Sequence, residues 1–436
     1  VQQTNQLVAE SRRHTLSVLP LTAILRSLCT ATVTSNPVLL QVSLRILSIL
    51  ADPAKRILNP DKNLLLNFFL KKTLYAQFCA GEDALEVRDT ISRLKHIGFS
   101  GVILGYAKET VPIKDEGKVA AVASHDQVAT QNFYTEIETW TNGTLATVAL
   151  AGPGDCVALK LSGAGRLALF RLSQAAHPPP YLYSAIDTIC AAAKERGVRL
   201  LFDAEQDALQ EGIDRWTMEF ARKYNTLSQT ATVYGTYQAY KKACPAVLSR
   251  HLAEARDNSF TLGVKLVRGA YLGSDPRERF HATKDDTDSC YNGIAAAILT
   301  CQWSYILKGD GKFPNTSLIL ATHNVESVRQ ARAICDAGGA KSEVAFAQLQ
   351  GMADEISCEL VQAGHWGGPH LQVFKYLPWG TTGECMNYLL RRARENRDAV
   401  QRTERDRDVM WAELIRRCKT AIESRFRFLT KRSWPL

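Results

Sequence analysis

The sequence predicts an α/β fold: a (β/α)8 barrel with an N-terminal helical arm and C-terminal helices over the barrel mouth. Three observations predict it. Eight short β-rich runs follow one another after Gly98, amphipathic helical stretches alternate with them, and most runs are nearly continuous in apolar residues. A strand apolar on both faces belongs to a parallel sheet covered on its outer side. Eight strand–helix repeats favour closure into a barrel over an open sheet. The 436 residues do not demand three domains, because such barrels run as single domains of about 250 residues or more.

The elements follow in order. From Thr15 to about Ala76 apolar residues recur at three- and four-residue spacing, with Pro20, Pro37, Pro53 and Pro60 as punctuation, which predicts helices. The division expected is an arm over 1–97, a catalytic barrel over 98–400 and a basic helical tail over 401–436. Candidate strands lie at 101–106, 157–161, 198–203, 231–238, 262–267, 317–322, 343–348 and 372–377. Helical stretches at 181–196, 214–223, 246–255, 289–308 and 325–337 separate several of them. The polar stretch 107–131 reads as an insertion after the first strand, where barrels tolerate long loops.

Composition narrows the function. With 46% hydrophobic and 22% charged residues the chain has the balance of a globular protein with a large core. Its charge of +9 is concentrated: residues 391–436 hold 14 Lys+Arg against 7 Asp+Glu, leaving the rest near neutral. That distribution, without zinc spacing or a basic arm, argues against nucleic acid. Eleven scattered cysteines without a CxxC pair fit reduced intracellular thiols better than a disulfide framework. The apolar segment 37–50 is shorter than a spanning helix and carries Gln41 and Arg45. The chain begins at Val1, so the lack of a targeting presequence is uninformative.

In a barrel the chemistry sits at the carboxyl ends of the strands. Those ends carry Lys160; Asp203-Ala204-Glu205; Gln238; Lys265 with Arg268-Gly269-Ala270-Tyr271; Thr322-His323-Asn324; Gln348-Leu349; and Tyr376. Polar groups at nearly every strand end suit a large polar cofactor over the mouth. Lys160 in an apolar strand needs a partner, Asp203 or a substrate carboxylate, because an unpaired buried ammonium is costly. His323 taken alone reads as a structural histidine; its Thr-His-Asn context makes it a site candidate. His365 and His370 lie in a Gly/Pro loop without a clustered third ligand, so no metal is expected. The helix after the eighth strand is read as opening with Tyr388-Leu389-Leu390-Arg391-Arg392. Adjacent helical residues point about 100° apart, and apolar neighbours place the arginine pair at a semi-buried edge. Two guanidinium forks there match a small carboxylate; ordinary surface arginines paired with Glu395 are the plainer reading.

Together these blocks resemble the proline dehydrogenase family. The matching segments are FCAGED at 78–83, KLS at 160–162, FDAE at 202–205, YQAYKKACP at 237–245, KLVRGAYL at 265–272, ATHN at 321–324, QLQGM at 348–352, YLPWG at 376–380 and YLLRRAREN at 388–396. KLVRGAYL and YLLRRAREN are specific; the shorter blocks gain weight from their joint order. The arm also looks like the eukaryotic branch.

The resemblance implies FAD-dependent oxidation of L-proline to Δ1-pyrroline-5-carboxylate by hydride transfer to flavin N5, with electrons passed to a membrane quinone. It implies a mitochondrial location on the matrix side of the inner membrane. Carried over by motif, Lys160, Arg391 and Arg392 would hold the proline carboxylate, Tyr376 would wall the ring and Leu349 would pack on it. Asp203 would support the Lys160 side, and Tyr388 joins this catalytic group. Gln238, Lys265, Arg268, Gly269, Ala270, Tyr271, Thr322, His323, Asn324, Gln348 and Glu395 would line the FAD. Three residues depart from the family pattern: Gly105 where Asp is frequent, which would loosen the mouth near Ala107, Trp379 for a common Tyr, and Gln350 for Leu or His. Tyr376 is bulky where the hydroxyproline-preferring branch tends to be smaller, which favours proline.

Three rivals remain. One is a flavin dehydrogenase of hydroxyproline or a related cyclic or N-alkyl amino acid. Another is a Schiff-base aldolase using Lys160, which leaves the arginine pair idle. The third is a non-catalytic basic adaptor. In the tail, Trp411, Leu414, Ile415, Cys418, Ile422 and Phe426 form an apolar helical stripe; it reads as a helix packed on the barrel, or as a peripheral membrane contact.

Overall fold

The computed structural model describes residues 15–51, 58–107, 127–227, 230–363, 371–397 and 400–431; for 127–131, 395–397, 400–403 and 425–431 it describes the backbone alone. His365 and His370 lie outside these residues, as does most of the insertion after the first strand.

The arm comprises α1 (Leu21–Ser35), α2 (Pro37–Leu50), α3 (Leu64–Leu70, continuing through the wider turns Lys71–Tyr75) and α4 (Ala84–Ile97). Asn36 starts α2 by accepting from the backbone of Val38 and Leu39, with Pro37 at the first helical position. Asp83 caps α4 likewise, and Gly98 ends it at φ 115°. Val87, Ile91 and Leu94 of α4 join the core cluster that surrounds the barrel.

All eight expected strands form. They are β1 (Gly101–Tyr106), β2 (Cys156–Leu159), β3 (Arg199–Phe202), β4 (Val233–Gln238), β5 (Leu262–Val267), β6 (Thr316–Ala321), β7 (Glu343–Leu349) and β8 (Gln372–Trp379). Each pairs in parallel with its neighbour, and β8 pairs with β1 to close the barrel. The intervening helices are α5 (Gln127–Leu150), α6 (Arg166–Ser173) and α7 (Pro180–Glu195), then α8 (Asp207–Tyr224), α9 (Cys244–Asp257), α10 (Lys284–Thr300), α11 (Val325–Asp336) and α12 (Asp354–Ala363). After β8 come α13 (Thr382–Arg397) and α14 (Val400–Lys431).

The continuous apolar runs are now explained. One face of each strand, with Val102, Leu104, Leu200, Val264, Leu266, Leu318, Leu320 and Val373, packs on the helices. The other fills the barrel with Ile103, Cys156, Leu201, Tyr234, Ile319, Ala345 and Phe374. The period of two along each strand therefore carries Lys160, Asp203, Gln238, Lys265, Leu349 and Tyr376 to the inward side at the carboxyl ends.

Among the differences from expectation, three bear on how the site is framed. The helix after β5 ends at Thr300 rather than 308, because Cys301 turns left-handed at φ 52° and Trp303 folds onto Phe313 with ring centres 4.7 Å apart. Helix α13 begins six residues before Tyr388: Thr381 accepts from the Glu384 amide at 3.2 Å while Glu384 accepts from the Thr381 amide at 3.0 Å, a reciprocal cap. The tail helix α14 packs chiefly on the arm rather than on the barrel. Met410 and Leu414 meet Leu16, Leu19 and Ile24, and Arg417 donates to the carbonyls of Leu16 and Leu19 at 2.9 and 2.8 Å.

Candidate active site

The inward strand ends converge on Tyr376. Lys265 on β5 donates to Asp203 after β3 at 2.6 Å, and both side chains are nearly buried. The Lys265 ammonium also lies 6.0 Å from the centre of the Tyr376 ring. From above, α13 contributes Tyr388, with the Arg391 and Arg392 guanidinium carbons 5.9 and 5.3 Å from its ring centre. Leu349, Tyr376 and Tyr388 belong to one apolar cluster with α2 and α3 residues behind it. Burial holds the Tyr376 phenol well above its usual range; Asp203 and Tyr388 add to the rise, and Arg391 and Arg392 oppose it. Tyr376 is thus a neutral wall between an ion pair below and an arginine pair above.

Lys160 follows β2 directly, and its carbonyl accepts from the Trp140 indole at 3.1 Å. Asp203 pairs with Lys265, and the charge of Lys160 bears on Glu205. Glu205 is buried, accepts from the Ser162 amide at 3.0 Å, and is raised by that burial despite the bond.

The candidate cofactor residues cluster over β4–β7. Gln238 is buried and donates to the Glu205 carbonyl at 3.3 Å. Arg268 is braced on Asp288 at 2.6 Å, Thr322 at 2.6 Å and Ser327 at 2.8 Å, with its guanidinium 4.6 Å from the Tyr291 ring centre. Gly269 has φ 140°, and a Cβ there would lie 2.1 Å from the Tyr240 ring, so no other residue fits. Ala270 follows it, and the Tyr271 amide donates to the Tyr240 hydroxyl at 3.2 Å. Asn324 is the N-cap of α11, accepting from the Ser327 amide at 3.0 Å. His323 Nε2 accepts from the Leu349 amide at 3.0 Å, so that nitrogen is the unprotonated one. Gln348 is buried between Thr322 and Ser357, at 3.4 and 3.1 Å. The Glu395 side chain lies outside the described residues.

Two buried polar atoms in this half of the barrel, Thr236 Oγ1 and Gln350 Oε1, have no hydrogen-bond partner among the described residues. With the polar side chains of Gln238, Lys265, Arg268, Thr322 and Gln348 at the same strand ends, they make a donor and acceptor set that fits a large polar cofactor such as FAD. No group of three His, Cys, Asp or Glu side chains suited to a metal occurs among the described residues.

Sequence reasoning missed a second buried pair. Lys375, on the outward side of β8, is 1% exposed and donates to Asp354 at 2.7 Å and to the Met352 carbonyl at 3.1 Å. Asp354 also accepts from Ser27 of α1 at 3.3 Å, and Gln77 donates to Ser27 at 2.9 Å. This seam fixes the turn after Leu349 to the arm. The signal was available: a lysine within an apolar strand, the same signal that singled out Lys160. Trp379 is absorbed structurally, its ring tilted against Tyr106 at 5.0 Å and its indole donating to Thr147 at 3.0 Å.

The comparisons with known proteins agree with this geometry. Residues 87–405 match the family model described as proline dehydrogenase. A probable mitochondrial proline dehydrogenase of Schizosaccharomyces pombe is 28% identical over 403 residues, 79% of each chain. Mitochondrial proline dehydrogenase 1 of Homo sapiens is 36% identical over 242 residues, 54% of this chain and 38% of that protein. Hydroxyproline dehydrogenase of Rattus norvegicus is 28% identical over 400 residues, 80% of this chain and 82% of that one. Among solved structures, proline utilization A of Bdellovibrio bacteriovorus inactivated by N-propargylglycine superposes with a TM-score of 0.62. That likeness is at 18% identity, over 84% of this chain and 38% of that one, and bears on the fold alone. A family match over most of the barrel, on a closed eight-stranded frame, shows that this chain belongs to the proline dehydrogenase family of oxidoreductases.

Proposed function

We propose that the chain oxidises L-proline to Δ1-pyrroline-5-carboxylate with FAD as its cofactor, in mitochondrial proline catabolism. The observation that carries this reading is the pair Arg391 and Arg392 seated over Tyr388, beside Tyr376 and above Lys265–Asp203. Bound FAD would supply the hydride acceptor, held by Gln238, Lys265, Arg268, Gly269, Thr322, His323 and Gln348. The chain's own residues then have a positioning task. The two arginines and Lys160 hold the carboxylate, turning the far side of the ring, with its C–H beside nitrogen, toward the cofactor. Like charge around the substrate favours loss of the ammonium proton before the hydride leaves. Leu349 and Tyr376 close the ring's edges against water. No enzyme nucleophile is needed.

The test is the visible spectrum of the purified protein. Yellow protein bleached by L-proline supports the proposal. Bleaching by trans-4-hydroxyproline with higher catalytic efficiency than proline transfers it to the hydroxyproline branch, a reading favoured by the long match to the rat enzyme. Colourless protein that takes up no FAD, with borohydride trapping at Lys160, would favour an aldolase.

Electrons would pass to quinone at the matrix side of the inner membrane. Among the described residues no single helix is long and apolar enough to cross a membrane. For peripheral contact the tail offers exposed Trp411, Ile415 and Ile422, and the arm offers Val38, Val42, Ile46, Leu64, Leu65, Phe68 and Phe69. If the tail is the contact, deleting 411–436 releases the protein from membranes with flavin retained.

A further inference from the structure

Gly105 lies two residues beyond Ile103 on the inward side of β1, beside β8, where the register sets Ile103 against Tyr376. Its backbone is not in the left-handed region, so the glycine is not required by conformation. It is required by space. A Cβ at this position would lie 2.6 Å from the Tyr376 hydroxyl oxygen and 3.2 Å from the carbon that bears it. The room that a side chain at this position would take is therefore filled by the phenol itself rather than left as a gap.

We infer that Gly105 sets the depth of the substrate pocket. Without a side chain there, the Tyr376 ring sinks against β1. The space between it and the arginine pair then admits cyclic secondary amino acids larger than an unsubstituted five-membered ring. The enlargement is at the ring edge remote from the carboxylate, either a ring substituent or a sixth ring atom. The inference rests on the proposed oxidation of a cyclic amino acid, in which Tyr376 borders the ring. Its physical basis is close packing: the hydroxyl cannot stay where a methyl group would overlap it by about 1 Å, and interiors transmit such a shift to the next surface. Around the ring also lie Lys265, whose ammonium is 6.0 Å from its centre, the apolar cluster of Leu349 and Tyr388, and the side chains that fill the barrel. A residue with a Cβ at position 105 would drive the ring toward the substrate.

The experiment compares wild type with Gly105→Ala, both as flavin-loaded holoprotein, on L-proline, trans-4-hydroxy-L-proline and L-pipecolate. Wild type should oxidise the two larger substrates measurably, with proline the best of the three. Gly105→Ala should lower the ratio of kcat/KM for each larger substrate to that for proline by about tenfold, the scale of one methylene in an apolar pocket. Flavin content and thermal midpoint establish that the variant is folded. The double variant Gly105→Ala/Tyr376→Phe, which removes the overlapping oxygen, should bring the ratio back toward that of Tyr376→Phe alone. A ratio unchanged in Gly105→Ala, or an equal loss on all three substrates, overturns the inference while leaving the oxidation intact. A wild-type flavin that none of the three reduces overturns the proposed function itself. Should Gly105→Ala fail to hold flavin, Tyr376→Phe in the wild-type background decides: the inference requires its larger-substrate ratio to rise, and a ratio that stays or falls rejects it.

Discussion

Two lysine–aspartate pairs of nearly equal length sit in very different company. Lys265–Asp203, at 2.6 Å, faces the barrel mouth beside Tyr376, with Arg391 and Arg392 in the same electrostatic neighbourhood. Lys375–Asp354, at 2.7 Å, is sealed between β8, α12 and the arm, and its members take further bonds from Ser27 and to the Met352 carbonyl. The sealed pair is satisfied within the protein and holds a turn to a helix. The mouth pair instead shares its surroundings with Arg391 and Arg392, cations that a carboxylate substrate would meet there. Burial and pairing alone do not mark a site; the charges around the pair and their place at the strand ends do.

The comparison can be broken first at the sealed pair. Asp354→Ala should cost about 3–5 kcal/mol of stability by leaving the Lys375 ammonium buried without its carboxylate. Asp354→Leu combined with Lys375→Met should recover most of it, read from denaturant midpoints. At the mouth, Arg392→Met should lower kcat/KM for proline by about a hundredfold or more, mainly through KM, since a charge-assisted carboxylate contact is lost. Its thermal midpoint should stay near that of wild type. A large fall in stability from Arg392→Met, or a large loss of affinity from the sealed pair's double variant, would erase the distinction.

A pH experiment sharpens it at the other seam between arm and barrel. Burial tends to raise the Glu82 carboxyl, but bonds from Lys71 at 2.7 Å and the Thr382 amide at 2.7 Å outweigh it and hold the group below its ordinary value of 4.5. A carboxyl depressed in the folded state stabilises fully above 4.5, and that contribution is lost as pH falls through the lower folded value. The thermal midpoint of wild type should therefore drop more steeply than that of Glu82→Gln on acidification below about pH 5. Parallel curves would remove Glu82 from the seam. The smallest effect is expected at Asn324. As the cap of α11, Asn324→Ala should cost about 1 kcal/mol of stability; flavin loss out of proportion to that would support its reading as a cofactor ligand.

Much of this was legible beforehand. The eight strands were readable because barrel strands are buried on both faces and so are apolar throughout. The inward set of Lys160, Asp203, Gln238, Lys265 and Tyr376 followed from their place at the ends of those runs. The start of α13 is also written locally, in the reciprocal cap of Thr381 and Glu384. The Asp203 pairing was not legible. Lys265 lies two strands from that carboxylate, and only the stagger of β3 and β5 around the barrel brings its ammonium to it.

The sequence by itself determined the repeating strand–helix pattern, the polar strand ends and the family to which they belong, because these are encoded by periodicity and by short contiguous blocks. The tertiary structure alone decided which buried lysine meets which carboxylate, that the tail helix rests on the arm, and that Gly105 is a seat for a tyrosine 271 residues away in the chain. Those outcomes depend on how strands side by side in the closed barrel are staggered and how closely their side chains pack, which no local pattern records.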